Sequence, residues 1–162
     1  MKGNKQELIW SILRLVLGWI LLWAFLDKLF GLSFNTAKDK SWIIGVSPTS
    51  GFLEFGTHGP FASIYKSLAG NVLIDWIFMI GILLIGLALI IGIFVRIASL
   101  GGALLMILMF LALIPPDHNP IIDEHIIYLI IFIGLFYFNS DRFSFGKYWA
   151  KTKLVKKYPI LE

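Results

Sequence analysis

Asp27, Asp75, Asp123 and His125 are ionisable residues set against long apolar runs, and their types suit proton donation and acceptance. Asp75 follows Asn71 by four positions, as Asp123 follows Asn119, so Asn71-Val72-Leu73-Ile74-Asp75 echoes Asn119-Pro120-Ile121-Ile122-Asp123. Asparagine suits a helix N-cap and Pro120 the first helical position, which puts both acids in a first turn. A carboxylate there complements the helix dipole and needs no further purpose. That account serves Asp75 or Asp123 taken singly. It fails for Asp27, near the C-terminal end of its run, where negative charge is unfavourable.

His125 lies two residues beyond Asp123, about 200° around a helix, and shares a face with Tyr128 and Leu129. A histidine satisfied at the membrane interface accounts for it as well as a proton carrier does. His58, His118 and His125 with the carboxylates are possible metal ligands, but their spacing matches no metal signature, so no metal is expected. The chain has no cysteine. Disulfides, thiol nucleophiles, Cys-ligated clusters and c-type haem attachment are therefore excluded, and redox chemistry would need a non-covalent cofactor or a partner subunit.

Composition identifies the solvent of the scaffold that positions these residues. Of 162 residues, 58% are hydrophobic and 15% charged, against about 25% charged in soluble domains. A bilayer accommodates that much apolar surface, because a spanning helix needs about 20 apolar residues and satisfies its own backbone. The chain reads as one all-α integral membrane domain, residues 1–162, with four spans at about 8–30, 72–95, 97–114 and 120–138. The first run is long, carries Arg14 and lacks a small-x-small cleavage site, so it reads as a span and not a signal peptide. Only Arg96 separates the second and third spans, and Pro115-Pro116 ends the third. Small residues four apart, Ala98/Gly102 and Ser99/Ala103, permit close helix approach and leave a homo-oligomer open.

The segment 31–71 is apolar for a loop. Ser47-Pro48 can open a short helix through Leu53, and 60–69 another, with Phe61, Ile64, Tyr65 and Leu68 on one face. The loop is expected to fold back as a partly helical lid over the outer mouth of a four-helix bundle. With four spans both termini share a side, which holds nine Lys/Arg (Lys2, Lys5, Arg96, Arg142, Lys147, Lys151, Lys153, Lys156, Lys157) against Lys28, Lys38, Lys40 and Lys66 on the other. The termini and the basic tail, 139–162, should be cytoplasmic. The net charge of +4 gathers in that tail beside a hydrophobic helix, which points to membrane lipid and away from nucleic acid.

Apart from Arg14 and Arg96, the ionisable groups near the spans fall on the outer half: Asp27, Lys28, Asp75, Asp123, Glu124 and His125. Such groups in spans usually face a bundle interior or wet cavity, so a site is expected there. Arg14 shares a face with Leu17, Gly18 and Leu21, and snorkelling to the inner surface is its favoured reading. Facing inward it would need a carbonyl, a carboxylate or a ligand. Trp10, Trp76 and Trp149 suit interfacial anchors, while Trp19 and Trp23, one turn apart, suit the wall of a cavity for a flat ligand.

The ordered pieces RLVLGWILLWAFLDKLF (14–30), SPTSGFL (47–53), Gly59-Pro60-Phe61-Ala62, Leu68-Ala69-Gly70, Asp75-Trp76 and NPIIDEHIIY (119–128) together resemble the DoxX family, in particular its DoxD-like branch. That resemblance implies a four-helix membrane subunit that passes electrons from thiosulfate to a membrane quinone with a smaller partner subunit. It makes Asp27, Asp75, Asp123 and His125 candidates for proton handling. Arg14, Trp23, Trp76, Asn119 and Tyr128 become candidates for holding the quinone. Thiosulfate is a dianion that an acidic cavity repels, so either Lys28, His58 and Lys66 offset the acids or the sulfur chemistry occurs on the partner. The competing expectation is a non-catalytic scaffold, or a carrier of a small hydrophobic or cationic ligand.

Overall fold

A computed structural model describes residues 2–119, 121–138 and 142–161, with side chains from Lys5 onward. All regular elements among the described residues are helical. They are the α-helices α1 (Lys2–Phe30), α2 (Ala62–Ser67), α3 (Val72–Ile91), α4 (Val95–Ala112), α5 (Glu124–Tyr137), and the short α6 (Gly146–Trp149) and α7 (Lys153–Lys157), with 3-10 turns at Lys38–Lys40, Trp42–Ile44 and Pro159–Leu161 and one π turn at Phe52–Gly56. Lys5–Phe30 of α1, α3 and α4 are long and apolar enough to cross a membrane. At 14 residues α5 is shorter, about 21 Å of helix against a hydrocarbon core of about 30 Å.

Helix ends follow local chemistry and correct three expectations. Asn71 caps α3 as read, its Oδ1 accepting from the N–H groups of Leu73 (2.9 Å) and Ile74 (3.4 Å). The second span stops at Ile91 and not at 95, because Gly92 turns left-handed (φ 77°) and sends its N–H back to the Ala88 carbonyl. Arg96 therefore lies inside the first turn of α4, not between the helices. The fourth span opens at Glu124, not 120, with Asp123 as its N-cap. Asn119 instead closes a separate turn by accepting from Ile121 and Ile122 N–H, and Pro120 lies outside the described residues.

The helices pair as α1 on α3 and α4 on α5, with α3 and α4 in looser contact. Leu17, Leu21, Met79, Ile82, Leu89, Met106, Phe132 and Leu135 form the buried core. A Cβ on Gly86 would sit 2.9 Å from the Leu22 backbone nitrogen, so α1 and α3 meet backbone to backbone. Gly102 lies under the Phe132 ring, which would be 2.3 Å from an added Cβ. The Ala98/Gly102 pair thus lies buried in the packing of this one chain. Ile77, Ile80, Leu84, Ile97, Leu104, Ile127 and Ile130 are exposed on the outside, which is where lipid replaces water in a membrane protein.

Arg14 departs from the snorkelling expectation. Its side chain is fully buried, and the guanidinium donates to the Leu89 carbonyl, to Ile90 O (3.3 Å), Arg142 O (3.3 Å) and Phe143 O (2.9 Å). The last carbonyls of a helix have no intrahelical donor. Five donors in a rigid fork can satisfy several of them at once, which a lysine cannot.

Candidate functional site

Between α3 and α4, at the end away from the N-terminus, the looser helix contact leaves a cavity of about 480 Å³. Ile74, Phe78, Ile82 and Ile85 of α3 face Leu105 and Met109 of α4 across it, and Lys28 of α1 contributes the one charged side chain of its lining. Phe52, Leu53, Tyr65 and Leu68 of the 31–71 segment close the top, so that segment is a lid. The volume falls in the range of small-ligand sites, about 300–1,000 Å³. Gly81 also lines the cavity, and a Cβ added there would meet nothing within 4 Å.

The lid owes its position to two of the predicted acids. Asp75, 5% exposed, accepts from the hydroxyls of Ser47 (2.8 Å) and Thr49 (2.5 Å). Ser47 Oγ in turn accepts from Ser50 N–H (3.1 Å), which starts the helical turn running into Phe52–Gly56. Asp27, 2% exposed, accepts from the backbone N–H groups of Phe34 (3.2 Å) and Asn35 (2.9 Å), which ties the first lid residues to the end of α1. That is the partner its unfavourable place at a helix C-terminus called for.

The far side of the lid is latched to α4. Tyr65 donates its hydroxyl to Leu108 O (2.7 Å), and burial pushes its phenol pKa up, so it stays protonated as a donor. His58 sends its backbone N–H to Ala112 O (3.2 Å) and pairs Nε2 with Pro115 O (2.9 Å). Gly59 passes so close to the Ile114 carbonyl that a Cβ would overlap it. Of the lid face read from the sequence, Tyr65 and Leu68 reach the cavity, whereas Ile64 is exposed.

The His58 imidazole is held above its ordinary value of 6.5, chiefly by the Pro115 carbonyl, with burial opposing and Asp117 adding to the rise. A raised folded pKa means the latch contributes fully below the unfolded value and is lost as pH rises through the folded one. Hydrogen exchange across 57–69, corrected for intrinsic rates, should therefore show less protection at about pH 8.5 than at about pH 5.5. His58→Gln should abolish the difference. An equal difference in that variant would remove His58 from the latch.

The remaining predicted residues are dispersed. Asp123 Oδ2 lies 2.7 Å from His125 Nδ1, and Asp123 Oδ1 accepts from His125 and Ile126 N–H at the start of α5. The 200° separation does not apply, because Asp123 is the cap and its side chain folds back over the first turn. This pair does not line the cavity. Trp23 packs on Trp19 and, edge-on, on Phe34, and Trp76 packs edge-on against Trp42. Tyr128 packs on the core, and Asn119, His118 and Lys66 are exposed. Among the described residues no three His, Asp or Glu side chains gather as a metal site.

Lys28 is the exception that joins the cavity. It lines the wall and, among the described residues, makes no hydrogen bond or ion pair, interacting only electrostatically with its neighbour Asp27. The sequence reading missed Ser47, Thr49, Tyr65 and Gly81 as site residues. Hydroxyls and a glycine carry no charge signal, although Ser47 and Thr49 fall within the SPTSGFL piece.

Comparison with known proteins fits this architecture. No curated protein and no solved structure matches the chain. The DoxX family profile matches residues 9–114, which runs from α1 through the lid to the end of α4 and so includes every residue of the cavity wall. With about two thirds of its length matched, this membrane protein belongs to the DoxX family.

Proposed function

We propose that the chain binds a membrane quinone in the lidded cavity, as the membrane subunit of a DoxD-like quinone-linked oxidoreductase with thiosulfate as electron donor. The observation that carries this reading is one ammonium, Lys28, in the wall of a mostly apolar cavity, with no hydrogen bond or ion pair among the described residues. A quinone has matching chemistry, with a flat apolar ring, an apolar tail and carbonyl oxygens that accept hydrogen bonds. Bound there, it would supply an acceptor for two electrons and two protons. Lys28 would donate to one oxygen. Thr49, also in the wall, is hydrogen-bonded to Asp75, so a carboxylate able to carry a proton stands one hydroxyl behind the cavity.

Ile77 and Leu104 line the cavity yet are 61% and 57% exposed, which supports entry sideways from the bilayer. The absence of cysteine supports a smaller partner subunit as the place of any thiol chemistry on thiosulfate. The nine-to-four Lys/Arg asymmetry supports cytoplasmic termini and a cavity in the outer leaflet. A second reading, a carrier of an amphiphile with an anionic head, is favoured by the Asp123–His125 pair lying away from the cavity.

The test is mass spectrometry and absorbance of the purified chain beside Gly81→Leu, whose side chain would grow into open cavity space. Wild type should retain a quinone whose absorbance changes on adding reductant. Gly81→Leu should lose retention by about tenfold, the equivalent of about 1.4 kcal/mol, without losing thermal stability. Retention of fatty acid or lipid in place of quinone would favour the carrier. Full quinone retention by a folded Gly81→Leu would move the site elsewhere.

A further inference from the structure

The C-terminal segment is a folded platform and not a loose basic tail. Arg14 holds the Arg142 and Phe143 carbonyls, and Phe145 N–H donates to Ile91 O (3.0 Å) at the end of α3. Trp149 packs its ring on Phe94 in the α3–α4 turn, with centroids 4.7 Å apart, and donates Nε1–H to Leu161 O (2.5 Å). Arg96 donates to Pro159 O (3.2 Å), while Gly146 and Val155 are buried beneath the segment. Residues 142–161 are thus laid across the end of the bundle that also holds the start of α4.

What this platform leaves outside is of two kinds. Lys147, Lys151, Lys153, Lys156 and Lys157 are exposed, and 142–161 holds six Lys/Arg with no Asp or Glu. Phe143, Phe145, Tyr148 and Tyr158 are 60%, 65%, 73% and 48% exposed. Arg142 and Lys157 lie over the Phe143 and Tyr158 rings, 5.4 and 5.2 Å from their centroids, yet all four aromatics leave large apolar area facing outward on one short segment. At a bilayer surface both kinds are satisfied, since aromatic rings sit at headgroup depth and lysines reach lipid phosphates.

We infer that residues 142–161 bind the headgroups of anionic phospholipids in the leaflet at the terminal end of the bundle. The occupant is lipid of the same membrane because the platform is fastened to the ends of spanning helices, which sets it at the interface whether or not any protein is near. Charge complementarity then selects anionic over zwitterionic headgroups, by roughly fivefold for each lysine near the surface. This inference does not depend on the ligand of the outer cavity.

The experiment reconstitutes the full chain in phosphatidylcholine bilayers and measures the association of spin-labelled phosphatidylglycerol and spin-labelled phosphatidylcholine. Wild type should prefer the anionic lipid. The variant Lys153→Gln/Lys156→Gln/Lys157→Gln should lose that preference by up to about fivefold per lysine, toward none. Raising salt from about 0.15 M to about 1 M shortens the screening length from about 8 Å to about 3 Å and should collapse the preference in unaltered protein, which decides the matter if the triple variant fails to fold. Equal association of both lipids with wild type would mean that the platform faces solvent or an acidic protein, and would overturn the inference. So would a preference that survives both the triple replacement and high salt.

Discussion

Replacing Arg14 by leucine should lower the stability of the chain by about 3–5 kcal/mol and release residues 142–161 to protease, the largest effect expected of any single change. The guanidinium is fully buried and reaches four carbonyls on two segments remote in sequence, the end of α3 and the start of the C-terminal platform. Without it those acceptors lose their donor, and an unsatisfied buried polar group costs about 1–3 kcal/mol. Arg14→Lys keeps the charge but not the planar fork, so an intermediate loss is expected. Thermal unfolding in detergent together with limited proteolysis measures both effects. An unchanged midpoint with a protected C-terminal segment would mean that water or another residue replaces the guanidinium without loss.

Asp27→Ala should cost about 2–4 kcal/mol and raise hydrogen exchange across 31–36, because hydrogen bonds to a charged group contribute about 1.5–3 kcal/mol each. The carboxylate, itself 2% exposed, receives two backbone N–H groups of the lid, so removing it takes the acceptor from both and frees residues 31–36 from the end of α1. Asp75→Ala should raise exchange in a different place, 47–56, where Ser47 and Thr49 lose their acceptor. The two acids share no hydrogen-bond partner. Their double replacement should therefore add within about 0.5 kcal/mol. Strong non-additivity would instead return both to one shared network, as a convergent acidic site requires.

The anchoring of the lid shows where residue type and geometry part company. Asp27 stood out in the sequence because a negative charge at a helix C-terminus needs a partner. The structure supplies one seven and eight residues along the chain, so the anomaly is resolved locally by the lid itself. Asp75 and Asp123 looked equivalent after their asparagines. They differ because Asn71 caps α3 while Asp123 caps α5 itself, a distinction set by where the chain between Asn119 and Asp123 stops turning. Neither periodicity nor dipole arguments can tell a first-turn acid from a cap one turn later.

The amino-acid sequence by itself determined the solvent, the helical class, the four apolar runs, the Asn71 cap, the stop before Pro115-Pro116 and an apolar lid between the first two long helices. These follow from composition and from local rules that act within a few residues, and a bilayer leaves few alternatives to a closed backbone. Only the tertiary structure decided that Arg14 turns inward, that Gly92 rather than Arg96 breaks α3 from α4, and that α3 and α4 part to leave a cavity which Lys28 enters and Asp123 and His125 do not. Those outcomes depend on which helix faces meet. An α1–α3 contact through Gly18 and Gly86 and an α4–α5 contact through Gly102 and Phe132 hold the two pairs tightly, and the looser seam between the pairs is where space remains for a ligand.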